Sequence, residues 1–365
     1  MNLSESALLA NFATAQSLAC GDPIMAVVKA DAYGHGAAWA AGVLQGHAHC
    51  FGVACVEEAL TLRRAGISTP IFLLSPALPA ERAAVVAQGF RPVVSTVGEA
   101  ADFDLLAAKA GTRLPVQLVL DTGMGRIGFT PTAALAALPE LLAFHHLQVE
   151  SIASHFPCSD EDASFTLQQI SQFRQTVAEL AAGGLRPSFV HVANSGGILN
   201  FPHAPGELVR AGLMLYGATP QTEHTAKLSP VLTWKARISL VREVPAGHGI
   251  SYGRTFITSR PTRVATVSAG YADGYPRPLS GKGAAVLVQG CRCPLLGRVT
   301  MDQIMVDVTN LTKSPVPGEE CVLLGRQGTA EVSASELATL AGTNEWEIFT
   351  RIGRRVRRST EAAPV

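Results

Sequence analysis

The sequence predicts an α/β protein: an eight-stranded (β/α)8 barrel followed by a mostly β C-terminal domain. Three observations carry that expectation. Through the first 217 residues, short apolar runs rich in Val, Ile and Leu alternate with Ala-rich helical stretches. The runs are continuously apolar, the pattern of parallel strands buried on both faces. After residue 218 the intervening helices nearly vanish, while Pro and Gly multiply.

Taken in order, the first strand falls at 24–30 (IMAVVKA) and the second at 50–55 (CFGVAC), which leads into a helix over 57–65. The strand at 71–75 (IFLLS) precedes a helix at 79–88, and 91–96 (RPVVST) precedes one at 98–110. The strand at 116–122 (VQLVLDT) is followed by a helix at 132–143, and 147–155 (LQVESIASH) by one at 161–182. The last two strands lie at 189–195 (FVHVANS) and 209–217 (VRAGLMLYG). Eight such beats close a barrel. An open doubly wound sheet is the competing arrangement, but it usually needs fewer strands. Beyond 218 the runs VLTWKARISLVREV, RVATVSAG, AAVLVQG, PLLGRV, IMVDVT and ECVLLG are separated by turn residues such as Pro245-Ala246-Gly247 and Asp273-Gly274. They predict a mostly β domain with one short helix from Ser333 to Ala341. The boundary falls within 218–230, giving a barrel domain at 1–225 and a β domain at 226–365.

Composition narrows the function classes. The 365 residues are 47% hydrophobic and only 16% charged, enough to bury a large core. Lys+Arg and Asp+Glu are both 29, so the basic excess of a nucleic-acid or anionic-membrane binder is missing. Even the arginine-rich stretch 351–358 reads as a solvated final strand. No apolar run reaches the ~18 residues of a membrane span. The start, MNLSESALLANF, lacks the features of a signal peptide, so a cytoplasmic location is expected. Seven cysteines fit reduced thiols there. Cys291 and Cys293 form a C-x-C without a partner pair, so no metal site is expected.

Barrel chemistry sits where strands end, and the polar residue types cluster there. The first strand ends at Lys29, followed by Asp31, Tyr33 and His35. The fifth ends in Asp121-Thr122-Gly123 with Arg126 beyond, the sixth in His155, and the seventh in Asn194-Ser195-Gly196-Gly197. The eighth carries Arg210 and then Gly212. This basic, hydroxyl-bearing rim suits a phosphorylated anion. Lys29 closes an apolar strand, where desolvation lowers its pKa and favours Schiff-base chemistry. Ser195-Gly196-Gly197 opens a helix whose amides suit phosphate, a weak signal by itself. Arg210, inside an apolar strand, requires an acceptor, and a cofactor is one candidate.

At AVVKADAYGHG (26–36) the chain resembles the alanine racemase family of pyridoxal-phosphate enzymes. The likeness continues in order through DTGMGRIGF (121–129), HVANSG (191–196), VRAGLMLYG (209–217), GISYGRTF (249–256), SAGYADGYPR (268–277) and GRVTMDQIMVDV (297–308). It spans the chain from Leu3 to about Val356. The start is a few residues shorter than usual for the family, so a leading strand is expected to be missing. The resemblance implies the same barrel and β domain, pyridoxal 5′-phosphate as cofactor, and a homodimer with shared active sites.

It also implies roles for individual residues. Lys29 corresponds to the lysine that holds the cofactor as an aldimine, and Tyr252 to the second catalytic base. Tyr33 and Ser195 correspond to phosphate-binding hydroxyls, assisted by the amides of Gly212 and Leu213. Arg210 corresponds to the arginine facing the pyridine nitrogen. His155 links it to the tyrosine, and both supply positive potential there. Arg126 lies near the cofactor's phenolic oxygen and the substrate carboxylate. Met301 donates a backbone N–H to that carboxylate, and like Tyr252 it comes from the other subunit. Two departures stand out. Val119 replaces a lysine that many relatives carbamylate beside the arginine, so a buried Arg126 guanidinium is left without its anion and a substitute, chloride first, is expected there. Arg354 aligns with a phosphate-binding tyrosine. The implied activity is interconversion of L- and D-alanine by two bases, supplying D-alanine for peptidoglycan. The alternatives are a broader racemase, a decarboxylase on a related fold, and a non-catalytic pyridoxal-phosphate-binding protein. The decarboxylase lacks its motif here, and the non-catalytic protein would match the first half alone.

Overall fold

The computed structural model describes residues 1–202, 204 and 206–360. It divides into two compact units. One comprises Leu9–Ala32 and Ala37–Leu215; the other comprises Met1–Leu8, Tyr33–Gly36 and the chain from Tyr216 onward.

The chain does open with a strand, β1 (Asn2–Leu3), where none was expected. It is short enough to carry no apolar run, and its partners lie far away in sequence. The larger unit is the barrel, built from β2 (Ile24–Val27), β3 (Cys50–Val53), β4 (Ile71–Leu73), β5 (Val93–Val94), β6 (Leu114–Val119), β7 (Leu147–Ala153), β8 (Phe189–His191) and β9 (Val209–Ala211). These strands form two parallel runs, β4-β3-β2-β9 and β5-β6-β7-β8. A parallel bridge between Phe72 and Arg91 joins one seam. The Arg210 N–H donating to Ala193 O at 2.9 Å joins the other. Every residue of β2, β3 and β4 is buried, as continuous apolar runs require when both faces are covered. The outer helices begin with side-chain caps where the sequence supplies them. Thr96, Thr130 and Asp162 accept from the N–H groups of Glu99, Ala133 and Phe165, satisfying donors a helix start leaves open.

The second unit is mostly antiparallel. Its strands are β10 (Leu232–Val244), β11 (Gly249–Ile250), β12 (Phe256–Ile257), β13 (Thr262–Val267), β14 (Ala285–Val288), β15 (Cys291–Leu296), β16 (Ile304–Asp307), β17 (Glu320–Gln327), β18 (Ala330–Val332) and β19 (Ser359–Thr360). The long β10 pairs first with β17 and then, past an irregularity, with β13. With the run β17-β14-β15-β16-β13 this closes a ring, which leaves few edges exposed. On the outside, β1 pairs antiparallel with β10 and parallel with β19. The expected helix forms over Ala334–Ala341, with Ser333 as its cap. A second helix, Glu345–Thr350, follows it, capped by Asn344. Among the described residues, no helix is long and apolar enough to cross a membrane.

Candidate active site

Lys29 leaves β2 through a backbone form that L-residues rarely adopt. Ala30, Asp31, Ala32 and Tyr33 have φ of 53–54°, a single left-handed helical turn without glycine. Each such residue costs about 1–2 kcal/mol, so its surroundings must over-determine it. Ala32 N–H donates to Val28 O at 2.8 Å. Asp31 Oδ1 accepts from Ala37 N–H at 2.7 Å. Glu58 accepts from Ala30 N–H and from Ala54 N–H, each at 2.7 Å. Burial, and then the charges of Arg126 and Arg210, push the Lys29 pKa down, opposed by Glu58.

Arg210 is buried on β9, and its acceptors come from the protein. Nη1 donates to His191 Nδ1 at 2.7 Å and to His191 O at 3.1 Å. Nη2 donates to Ser154 O at 2.7 Å, Val192 O at 3.0 Å and His155 Nδ1 at 3.1 Å. A ligand is therefore not what makes this buried guanidinium tolerable. Nε–H is the donor left without an acceptor among the described residues. Since guanidinium only donates, each imidazole accepts through Nδ1 and carries its proton on Nε2. His191 Nε2 meets Ser151 Oγ at 3.3 Å. Burial first, and then Arg210, push the His155 pKa down to about 3. The same two causes hold His191 well below the usual histidine range. His155 is thus neutral, and the positive potential expected from it comes from Arg210. The pKa of Arg210 is itself lowered to about 10, by burial and then by Arg126.

The DTGMGR segment after β6 is shaped by Asp121, whose Oδ1 accepts from Gly123 N–H at 2.9 Å and Gly125 N–H at 3.0 Å. Arg126 at its end is exposed. The expected need for a neutralising anion rested on a buried guanidinium, and that premise fails in the single chain. Val119 packs with Val93, Ala153 and Ile127, so apolar side chains surround the position that the lysine would occupy. Behind the segment, Gln169 Nε2 donates to Thr122 Oγ1 at 3.3 Å and to His155 O at 3.4 Å. Thr122 Oγ1 lies 2.7 Å from Ser154 Oγ.

Ser195 begins the helix Ser195–Asn200, capped by Asn194. Its Oγ accepts from Gly212 N–H at 3.0 Å and Met214 N–H at 3.4 Å. With both bonds accepted, its own hydrogen is available to an anion. The Gly212 amide is given to Ser195, whereas the Leu213 amide has no acceptor among the described residues. A Cβ on Gly196 would lie 2.5 Å from Ser159 Oγ, so the loop has no room for a side chain there.

The second unit carries the remaining residues. Tyr33 is buried beside Tyr216, ring centroids 5.0 Å apart, and His35 stacks on Tyr216 at 4.6 Å. Burial raises the Tyr33 pKa, so its phenol stays protonated and able to donate. Tyr252 sits on the turn of the β11–β12 hairpin and is 71% exposed. Ser251, Gly253 and Arg254 around it all have positive φ, and Ser251 Oγ donates to Arg298 O at 2.7 Å. Met301 is 53% exposed. Its carbonyl accepts from Ala272 N–H at 2.9 Å. Arg354 is exposed, and the chain lying against Gly34 is instead Phe349–Thr350. Three supporting residues went unassigned in the sequence: Glu58, Gln169 and His191. Only His191 carried a signal, as the histidine of HVANSG.

Comparison with known proteins supplies the family. The alanine racemase N-terminal domain matches residues 3–220, and the alanine racemase C-terminal domain matches residues 231–360. An alanine racemase of Symbiobacterium thermophilum is 43% identical over 359 residues, covering 97% of this chain and 94% of its own length. The catabolic alanine racemase of Pseudomonas putida is 42% identical over 354 residues, 95% of each chain. Among solved structures, the alanine racemase from D-cycloserine-producing Streptomyces lavendulae matches with a TM-score of 0.92 at 37% identity, over 100% of this chain and 97% of that one. Both halves of the chain and its fold agree: this protein belongs to the alanine racemase family.

Proposed function

We infer that this chain interconverts L- and D-alanine with pyridoxal 5′-phosphate as cofactor, and that the D-alanine serves peptidoglycan. The observation that carries the reading is the barrel cluster: a lysine of depressed pKa beside an arginine with one unengaged N–H. That donor set fits the cofactor. Lys29 would hold its aldehyde carbon, Arg210 Nε–H would face its ring nitrogen, and Ser195 Oγ–H, Leu213 N–H and Tyr33 would hold its phosphate. When bound, the cofactor supplies the electron sink that makes the alanine Cα–H acidic.

The chain's own residues do the rest. Racemisation needs a proton removed from one face of Cα and returned on the other. Lys29 serves one face, and its lowered pKa keeps a neutral amine available nearer neutrality. Tyr252, from the partner subunit of a homodimer, serves the other. A free phenol titrates near 10, so it needs positive potential to act as a base. Arg210 supplies that potential through His155, whose Nε2–H points onward from the Arg210 contact. Arg126 and the Met301 N–H bind the substrate carboxylate. Arg210 keeps its proton at neutral pH, so with the cofactor bound its Nε–H would donate to the ring nitrogen and would not protonate it, an arrangement that would disfavour transamination.

The test is formation of D-alanine from L-alanine in a D-amino-acid oxidase assay, with L-serine alongside to measure breadth. Lys29→Ala should abolish both racemisation and the visible chromophore that borohydride removes. A Lys29→Ala chain that keeps either would refute the assignment.

A further inference from the structure

The left-handed turn after Lys29 is held by a carboxylate to which the family likeness gave no role. Glu58 is the third residue of the helix Val56–Arg64. Its two oxygens accept from amides at two adjacent strand ends. Ala30 lies just beyond β2, and Ala54 lies just beyond β3; each bond is 2.7 Å. The helix gains no cap from Cys55, whose side chain makes no such bond. The preceding Glu57 turns outward to the exposed Arg64. Ala30 is the residue directly after Lys29 and the first of four with positive φ. Without a glycine to make that form free of strain, an external acceptor must fix it.

We propose that Glu58 is a positioning residue for Lys29: its bidentate carboxylate holds the left-handed turn that sets where the lysine amine stands. Glu58 also opposes the neighbouring cations that push the Lys29 pKa down. It touches no reacting atom. The inference rests on Lys29 being the base on one face of the substrate.

The test uses the holoenzyme with Glu58→Gln, Glu58→Ala and, as control, Glu57→Gln. The amide keeps one acceptor oxygen and alanine keeps none. With charge-assisted bonds at stake, kcat should fall about tenfold for Glu58→Gln and about 100-fold for Glu58→Ala. Glu57→Gln should stay within about twofold of the parent, as exposed pairs contribute little. The KM for alanine should hardly move. Because L- and D-alanine are equal in energy, kcat/KM must fall alike in both directions, so rates alone cannot identify the affected face. The primary isotope effect with α-deuterated substrate can. It should rise for the one enantiomer whose α-hydrogen faces Lys29, since only that proton transfer is slowed. Amide exchange gives a readout apart from turnover: Ala30 and Ala54 should both lose protection in Glu58→Ala. If that variant fails to fold or to hold cofactor, Glu58→Gln carries the test. Parent-like kcat in folded Glu58→Gln, or an isotope effect that rises equally for both enantiomers, overturns the proposal. Residual racemisation by Lys29→Ala would instead overturn the reading beneath it.

Discussion

Replacing Arg210 by Gln tests how charge is arranged around Lys29. In the parent, His155 is held neutral with a pKa of about 3, by burial and then by Arg210. At pH 5 it should therefore be about 1% protonated, where an unperturbed imidazole would be about 97% protonated. Its nitrogens should report the Nε2–H tautomer, because Nδ1 accepts from Arg210 at 3.1 Å. Arg210→Gln removes the second cause and leaves the first, so the His155 midpoint should climb but stay below 6.5. The Lys29 pKa, also lowered by Arg210, should climb with it. That moves the acid limb of kcat, which reports the substrate complex where Lys29 must be a neutral free amine, to higher pH. The stability sign follows from linkage. The folded pKa of His155 lies below the unfolded value, so its contribution is full above about 6.5 and is lost as pH falls toward 3, at about 1.4 kcal/mol per unit. Glutamine cannot serve the five acceptors that Arg210 holds. Each left short of a donor costs about 1–3 kcal/mol less any repair by water, so Tm should drop. The assay is a nitrogen-15 histidine titration of the holoenzyme beside the pH profile of kcat. A parent His155 that titrates near 6.5, carries its proton on Nδ1, or keeps its midpoint in Arg210→Gln would refute the reasoning.

Three further outcomes are expected. Tyr252→Phe should retain cofactor and lower kcat in both directions by about 10²–10⁴-fold; mixing it with Lys29→Ala should restore activity after subunit exchange, and no recovery would exclude a shared site. Gly196→Ala places a Cβ 2.5 Å from Ser159 Oγ, so cofactor affinity, read by fluorescence titration, should fall and should recover when Ser159→Gly is added. Activity should not respond to bicarbonate, and Val119→Lys should lose about 3–5 kcal/mol in denaturant titration, because an amine would enter the apolar cluster of Val93, Ala153 and Ile127.

The barrel was legible because a parallel sheet buried on both faces writes itself as continuous apolar runs, as IMAVV and CFGV show. The candidate site residues Lys29, His155 and Ser195 were legible because they sit where those runs stop. What escaped has a common physical cause: it depends on groups far apart in sequence or on backbone form that side-chain identity does not encode. Nothing in Ala-Asp-Ala-Tyr announces four positive φ values, since glycine and asparagine are the residues that usually signal them. The acceptors of Arg210 include three carbonyls, which have no letter in the sequence. β1 was missed because two residues cannot show a period, and its pairing is with Leu232 and Thr233. The exposure of Arg126 is equally unwritten in DTGMGR: it follows the turn that Asp121 builds with Gly123 and Gly125 and stands open to solvent.

The charges of the barrel unit combine into one device. Burial, then Arg126 and Arg210, lower the Lys29 pKa, and Glu58 is the carboxylate that opposes them there; burial, then Arg126, lower that of Arg210. Such a cluster attracts an anionic ligand and stabilises negative charge that develops beside it. The same field must not hand a proton to the wrong atom. An imidazolium at His155 or His191 would be a ready acid near neutrality, but burial, and then Arg210 donating to both Nδ1 atoms, keep either ring from becoming one. Arginine is suited to that task because its own pKa, lowered to about 10 by burial, still leaves it charged at neutral pH. A lysine in its place could not fork to two imidazoles and three carbonyls, and it would titrate more readily when buried. The positive potential thus remains, while in the proposed mechanism the proton needed for racemisation is left to Lys29 on one face and Tyr252 on the other.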